Sequence, residues 1–525
     1  MANTLTKPQS SFWDRLTKRQ WSFLFAGLVF GLAQIIYMAT LWLDKAMAGG
    51  DAVLKPITVT TDLGKMFRGL EVGINSLFGF QTELYGSYVD GVASGGAFVP
   101  GIGWPIVGMA IGGLIVVIAE REHRSWVKYP LRVLGVSFVG GMVFSYGTRL
   151  AGGCTLNHLL GGIPMMSIHS TFTVVFMAIG GAVSFLIMTK LGIGQYFKHQ
   201  ETKSYCESTD SGECPAYDSE YKWYRNPWYW VGASFSIALI LVALIGGLFN
   251  PEALQSLKDG EMVAFSKSVA AKSWLYVIGT LAAGTIGGIA MAKSGFGTEC
   301  ALVSLEVSGS MTKNDSKYAR MGIPRITRTL MRGYLPIIGL AASWVLTAGF
   351  IWFGWNMGAA PGFEGSLKYQ FTAGSIVGGL LLGLGAVMLI GCEIRSYMRI
   401  GMGYLNTLVG FIGFAIGYLP YTLFLDGHKS FLENTVIIEQ YKWYELIAPN
   451  SVGTQKIVYL VWTLLLVVFL LWLIRVGAKR VGVSRRELRT LNTEDLELTI
   501  DARAEDGMIH GVSAPAAVPG SHDLN

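Results

Sequence analysis

The residues with the most chemistry to offer are two cysteines, each following a glycine at the end of an apolar run. The first is in Gly152-Gly153-Cys154-Thr155-Leu156-Asn157-His158 and the second in Gly391-Cys392. They belong to a repeat. Gly141, Gly147 and Cys154 each recur 238 positions later (379 minus 141), as Gly379, Gly385 and Cys392. Glycines at the end of a long apolar run break a helix, and a short helix restarting at Thr155 would turn its free amides toward the break, where they favour an anion. A cysteine there places a soft, polarizable sulfur at the same point. A single Gly-Gly-Cys is more simply a helix crossing with a small apolar filler. A second copy at the same offset makes a substrate site the stronger reading, with Gly153, Gly391 and Asn157 as parts of it.

A second repeated motif precedes each of these. Gly79-Phe80-Gln81-Thr82-Glu83 recurs as Gly295-Phe296-Gly297-Thr298-Glu299, 216 positions later (295 minus 79). Carboxylates within an apolar chain are costly and face a cavity or a partner. Glu83 and Glu299 are therefore read with equal weight as helix caps and as site residues. Cys300 follows Glu299, and its repeat partner is Leu84, so this thiol breaks the symmetry. Glu306 and Glu393 are further carboxylates near the motifs, with Arg149, Arg395 and Arg399 available to balance them. His158 and His169 lie near the same break; a lone histidine is more often a hydrogen-bonded structural residue than a relay, and His158 is kept as a path candidate. Metal-ligand spacing is absent, as is C-x-x-C. Cys206 and Cys214 sit in a polar stretch and read as free thiols of a reducing compartment. No cofactor and no metal are expected.

The elements that position these residues are set by composition. Of 525 residues 51% are hydrophobic and 14% charged, against about 25% charged in an average soluble domain. Apolar runs at 21–43, 104–119, 172–191, 228–249, 336–353, 371–390, 405–425 and 457–474 approach the roughly 20 residues that span a bilayer. The expected fold is an all-α polytopic membrane protein of nine to ten spans plus shorter pieces. The 67 glycines suit close helix crossings and broken helices.

Lys and Arg cluster at 1–19, 120–132, 311–332 and 475–489, which the positive-inside rule places in the cytoplasm; the stretch 44–68, with Lys45, Lys55, Lys65 and Arg68, fits that scheme poorly. Threaded this way, the helices ending at Cys154 and Cys392 run in opposite directions. Inverted halves of this kind bring their helix breaks together near the midplane. The expected organisation is a cytoplasmic N-terminal segment (1–20), a first membrane half (21–194), a polar insert (195–226), a second half (227–475) and a cytoplasmic tail (476–525). The protein is expected in the inner membrane, with both termini cytoplasmic. No P-loop is present, so ATP hydrolysis is not expected of this chain. The net charge of +6 lies in these loops and gives no reason to expect nucleic acid as a partner.

The run from Gly152 to His158, with Gly391-Cys392 and the two Gly-Phe motifs, resembles the YeeE/YedE family of sulfur-compound transporters over most of residues 70–425. Asn157 stands where the family often has a second glycine, and the stretch from Glu393 to Arg399 is charged and lacks the histidine. The resemblance implies inverted helical halves meeting at a narrow waist. It implies uptake of a small inorganic sulfur anion, thiosulfate foremost, along a path of thiols at Cys154, Cys300 and Cys392. Selenium or persulfide species are the alternative cargo. A membrane thiol oxidoreductase, or a scaffold for a soluble sulfur-carrier protein, are the alternative classes; that carrier is also a candidate partner of a transporter.

Overall fold

The computed structural model describes residues 20–47, 49, 53–86, 103–119, 131–190, 274–295, 297, 333–362, 369–389 and 391–490. The description that follows is of these residues. Cys206, Cys214, Glu299, Cys300, Glu306, the polar insert and the run 228–249 lie outside them.

The chain is helical almost throughout. The long elements are α1 (Phe23–Met47), α2 (Thr60–Phe78), α3 (Trp104–Ala119), α4 (Leu131–Leu150), α5 (Ile168–Lys190), α6 (Trp274–Ser294), α7 (Leu335–Asn356), α8 (Ala373–Leu389), α9 (Glu393–Gly401) and α10 (Leu405–Leu423). They are followed by α11 (Leu425–Asn434), α12 (Trp443–Ile447), α13 (Val452–Val481) and α14 (Arg485–Thr490). Among the described residues eight segments are long and apolar enough to cross a membrane, and Trp104–Ala119 is a shorter apolar helix. In hydrocarbon every backbone amide must bond within its own segment, and an apolar helix meets that demand. Helix α13 runs to Val481, well past the apolar run that marks it in the sequence. Strand structure is confined to two short pairs, β1 (Val53–Leu54) with β2 (Ala360–Pro361) and β3 (Phe371–Thr372) with β4 (Val436–Ile438).

The repeat is a property of the packing as well as of the sequence. Helices α4 and α8 cross antiparallel, with contact positions rising along one as they fall along the other. Gly140 meets Met388, Gly147 meets Leu381 and Leu382, and Gly378 meets Ala151. These contacts exchange under the 238-residue offset. A methyl group at Gly147 would lie 2.9 Å from Leu381, and one at its mate Gly385 would lie 2.6 Å from Phe144. The flanking pairs repeat as well. Gly141 on α4 meets Gly410 and Gly413 on α10, while Gly379 on α8 meets Thr173 and Phe176 on α5. Within each of these flanking pairs the two helices run parallel. Antiparallel α4 and α8 are what inverted halves require, in agreement with the direction inferred from loop charge.

Small residues make these crossings close. Gly108 and Gly112 of α3 face Gly284 and Gly288 of α6, a pair of Gly-x-x-x-Gly faces that brings backbone to backbone. The Gly-Phe motifs end α2 and α6 alike. Gly79 and Gly295 both take the left-handed conformation, at φ 71° and 64°, and stop their helices. That conformation is cheap only for glycine.

Candidate functional site

The first break is built from glycine. Helix α4 ends at Leu150, and Gly152 adopts φ 72°, a left-handed turn that ends the helix. A side chain at Gly153 would lie 2.8 Å from Asn157 Cβ, so only glycine fits beside that residue. The chain restarts at Thr155, as the short helix expected from the sequence, and continues as a π-helix, Leu156–Gly162. Wider turns of this kind cluster at functional sites.

Two histidines secure the break. His158 Nε2 lies 3.2 Å from the Gly153 carbonyl, and His169 Nε2 lies 2.7 Å from the Ala151 carbonyl. A carbonyl only accepts, so both Nε2 atoms donate. His158 Nδ1 is 3.2 Å from Ser170 Oγ, and His169 Nδ1 is 3.4 Å from Ser167 Oγ. The rings meet edge to face with centroids 4.7 Å apart. Each histidine is thus a clamp on a carbonyl that the break has deprived of its helical partner. Within the π-helix Leu159 O accepts from Trp344 Nε1 at 2.5 Å, and just beyond it Pro164 O accepts from Tyr459 OH at 2.7 Å.

The second break follows α8. Gly391 and Cys392 are buried, and Cys392 is the extended N-cap residue of α9, at φ −77° and ψ 172°. Ser396 Oγ donates to the Cys392 carbonyl at 3.0 Å. Side-chain carbons of Arg395 and the Arg399 guanidinium lie 3.7 Å from where a Gly391 side chain would begin. Both cysteines are fully buried and are free thiols.

The two breaks come together. The Cys154 thiol is in hydrogen-bonding contact with Glu393, the residue after Cys392, and with Thr60 at the start of α2. Its Sγ lies 3.8 Å from Asn157 Oδ1. Glu393 is 1% exposed. Its carboxylate also accepts from Tyr397 OH at 2.5 Å and from Thr60 Oγ1 at 3.4 Å. Tyr418 OH donates to the Thr60 carbonyl at 2.8 Å, and the Arg149 guanidinium sits 4.6 Å over the Tyr418 ring. Arg149 exerts its charge on Glu393. Residues from α2, α4, both breaks, α9 and α10 therefore converge on one buried polar cluster. Among the described residues, no group of three or more His, Cys, Asp or Glu side chains is placed to hold a metal ion.

Of the residues singled out in the sequence, Cys154, Gly153, Asn157 and His158 lie at the first break, and Gly391 and Cys392 lie at the second. Glu83 is not with them. Its side chain is 81% exposed, 4.0 Å from Arg68 in the middle of α2. The carboxylate that organises the Gly-Phe turn is Glu71, which accepts from the amides of Leu84 at 2.5 Å and Tyr85 at 3.0 Å and from Arg68 at 2.8 Å. Glu393 and Arg149, also noted in the sequence, stand in the cluster, which adds Thr60 and Tyr397. Glu393 had a signal, a carboxylate directly after a break cysteine in an apolar chain, and Tyr397 follows one helical turn later. Nothing in the sequence near Thr60 points to this site.

A family model described as sulphur transport matches residues 1–183 and 325–503. The thiosulfate transporter TsuA of Spirochaeta thermophila is 32% identical to this chain over 79 residues, which is 15% of this chain and 24% of that protein. The similarity thus spans about a quarter of that relative's length.

Proposed function

This chain belongs to the sulphur transport family, the YeeE/YedE family, and from that premise we propose that it carries a small inorganic sulfur anion, thiosulfate foremost, through the cluster between its two helix breaks. The observation that carries the reading is the meeting of the halves. Cys154 of the first break touches the residue that follows Cys392 of the second, and both thiols are buried and unoxidised.

A dianion leaving water loses a large hydration energy unless polar groups replace it. Two elements offer partial replacement here. The first turn of α9 begins at Glu393 with Cys392 as its cap, so its free amides lie at the break. Neutral thiols donate weakly to the ion's terminal sulfur and hold it loosely. Weak successive contacts let an ion leave as readily as it enters. Cys154 and Cys392 are the two thiols within the described residues, and Cys300 is the third member of the proposed path. The reaction is movement rather than bond making. The protein lies in the inner membrane with both termini in the cytoplasm, where a soluble sulfur-carrier protein would collect the ion.

Uptake of labelled thiosulfate into cells lacking other sulfate and thiosulfate importers tests the reading. Wild type should accumulate label, while Cys154→Ala and Cys392→Ala should lose most of it at equal membrane abundance. Absence of uptake in wild type would remove thiosulfate as the cargo. Uptake that survives both substitutions would sink the thiol path.

A further inference from the structure

Glu393 is a problem for any anion path. It is buried, and the groups that contact its carboxylate are donors: Tyr397 OH, Thr60 Oγ1 and the Cys154 thiol. Each of these groups can donate to an ionised carboxylate, and each hydroxyl can also accept from a protonated one, so the site can hold Glu393 in either state. An anion arriving at Cys154 meets this carboxyl one hydrogen bond away, and the ionised form would repel it.

The equivalent position in the first half is Thr155 (393 minus 238), directly after Cys154. It is fully buried, and its Oγ1 has no hydrogen-bond partner among the described residues. The two positions after the two cysteines thus carry opposite tools. One is a hydroxyl with a hydrogen bond still to give, and the other is a carboxylate already supplied with donors.

The ionisable neighbours of Glu393 come from each element packed around it. Its own helix brings Arg395, Tyr397 and Arg399, the first break Cys154, the end of α4 Arg149, and α10 Tyr418. Helix α2 carries Asp62 near its start, whose charge acts on Tyr37 and Tyr276. Helix α6 ends with the buried Lys293, and α3, which packs on α9, has no ionisable side chain. The Arg149 charge acts on Glu393, and its guanidinium also covers the Tyr418 ring.

We propose that Glu393 takes up one proton as the anion occupies the Cys154 position, so that the ion moves with a proton, and that the Thr155 hydroxyl donates to an oxygen of the ion. The inference rests on the transport reading above. No bond in the ion is made or broken. The proton enters Glu393 from the side the ion comes from and leaves to the opposite side. The carboxylate then returns to its donors on Tyr397, Thr60 and Cys154. Neutralising Glu393 removes the repulsion during passage only, and the restored charge helps expel the ion.

The experiment uses the full-length protein in liposomes with labelled thiosulfate and the membrane potential clamped. Exchange at equal pH on both sides reports transport itself. Accumulation driven by an acidic exterior reports coupling. Wild type is expected to exchange, and to accumulate up to about tenfold per unit of pH difference, which is about 1.4 kcal/mol for one proton. Glu393→Gln should lose the response to the gradient in the exchange it retains, Glu393→Asp should retain exchange that still responds to it, and Thr155→Val should slow exchange with the drive intact. Wild-type exchange with no response to the gradient would overturn the inference. So would a Glu393→Gln protein that accumulates like wild type, or loss of exchange in both Glu393→Gln and Glu393→Asp. Wild type that exchanges no thiosulfate would instead overturn the transport reading on which the inference stands.

Discussion

The Cys154 thiol meets the Glu393 carboxylate across the interface between the two halves of the chain. The contact joins the first break to the second, and it depends on α4 and α8 crossing closely enough for their ends to meet. That closeness comes from glycine on both helices.

The crossing is the first thing to test. Gly147→Ala and Gly385→Ala would place a methyl group 2.9 Å from Leu381 and 2.6 Å from Phe144 respectively. Overpacking at a rigid contact costs about 1–3 kcal/mol. Both variants should melt at lower temperature in detergent than wild type. Gly135→Ala, on the same helix but with no atom within 4 Å of the new methyl, should melt no lower. A Gly135→Ala loss matching the other two would show that helix α4 responds to any substitution and that the crossing is not special.

The histidine clamps should be worth the price of the carbonyls they satisfy. Removing His158 leaves the Gly153 carbonyl without its partner, and removing His169 does the same to Ala151. A buried unsatisfied acceptor costs about 1–3 kcal/mol. His158→Ala and His169→Ala should each lower the melting temperature. The pair in one chain should fall short of additivity, because both histidines bond Ser170 and neighbours in one network couple. Strict additivity would mean that the two clamps act independently.

Glu71 should control the first Gly-Phe turn locally. Its carboxylate holds the Leu84 and Tyr85 amides, and hydrogen bonds to a charged group are worth about 1.5–3 kcal/mol each. Hydrogen exchange in Glu71→Gln should speed up at those two amides and leave α4 and α8 protected. Unchanged protection at Leu84 and Tyr85 would remove Glu71 as the brace of the turn.

Thr60 separates the roles of side chain and backbone. Thr60→Val keeps the carbonyl that accepts from Tyr418 and deletes the hydroxyl that reaches Glu393. The fold should survive, judged by an unchanged melting temperature. Uptake of labelled thiosulfate should drop by roughly tenfold, the effect of one lost hydrogen bond to a charged group. Wild-type uptake in this variant would place the Thr60–Glu393 contact outside the working path.

The membrane-spanning class, the duplication and both helix breaks are legible in the sequence. Each depends on information close together along the chain: apolar length, a constant offset, a glycine pair. Even the opposite direction of the halves follows from charge in neighbouring loops. The choice among carboxylates does not. Glu83 sits in a repeated motif, which draws attention to it, yet α2 stops at Gly79 and releases the following residues to the surface. Glu393 has no carboxylate twin, but it begins a helix inside the bundle and is enclosed by Thr60, Cys154 and Tyr397. Thr60 lies 333 positions away from it. Burial and hydrogen bonding between such distant residues arise only when helices pack, because the energy of a charge is set by its surroundings in space. The sequence alone determined where the helices break. Tertiary packing decided which acid stands at the break and which donors surround it.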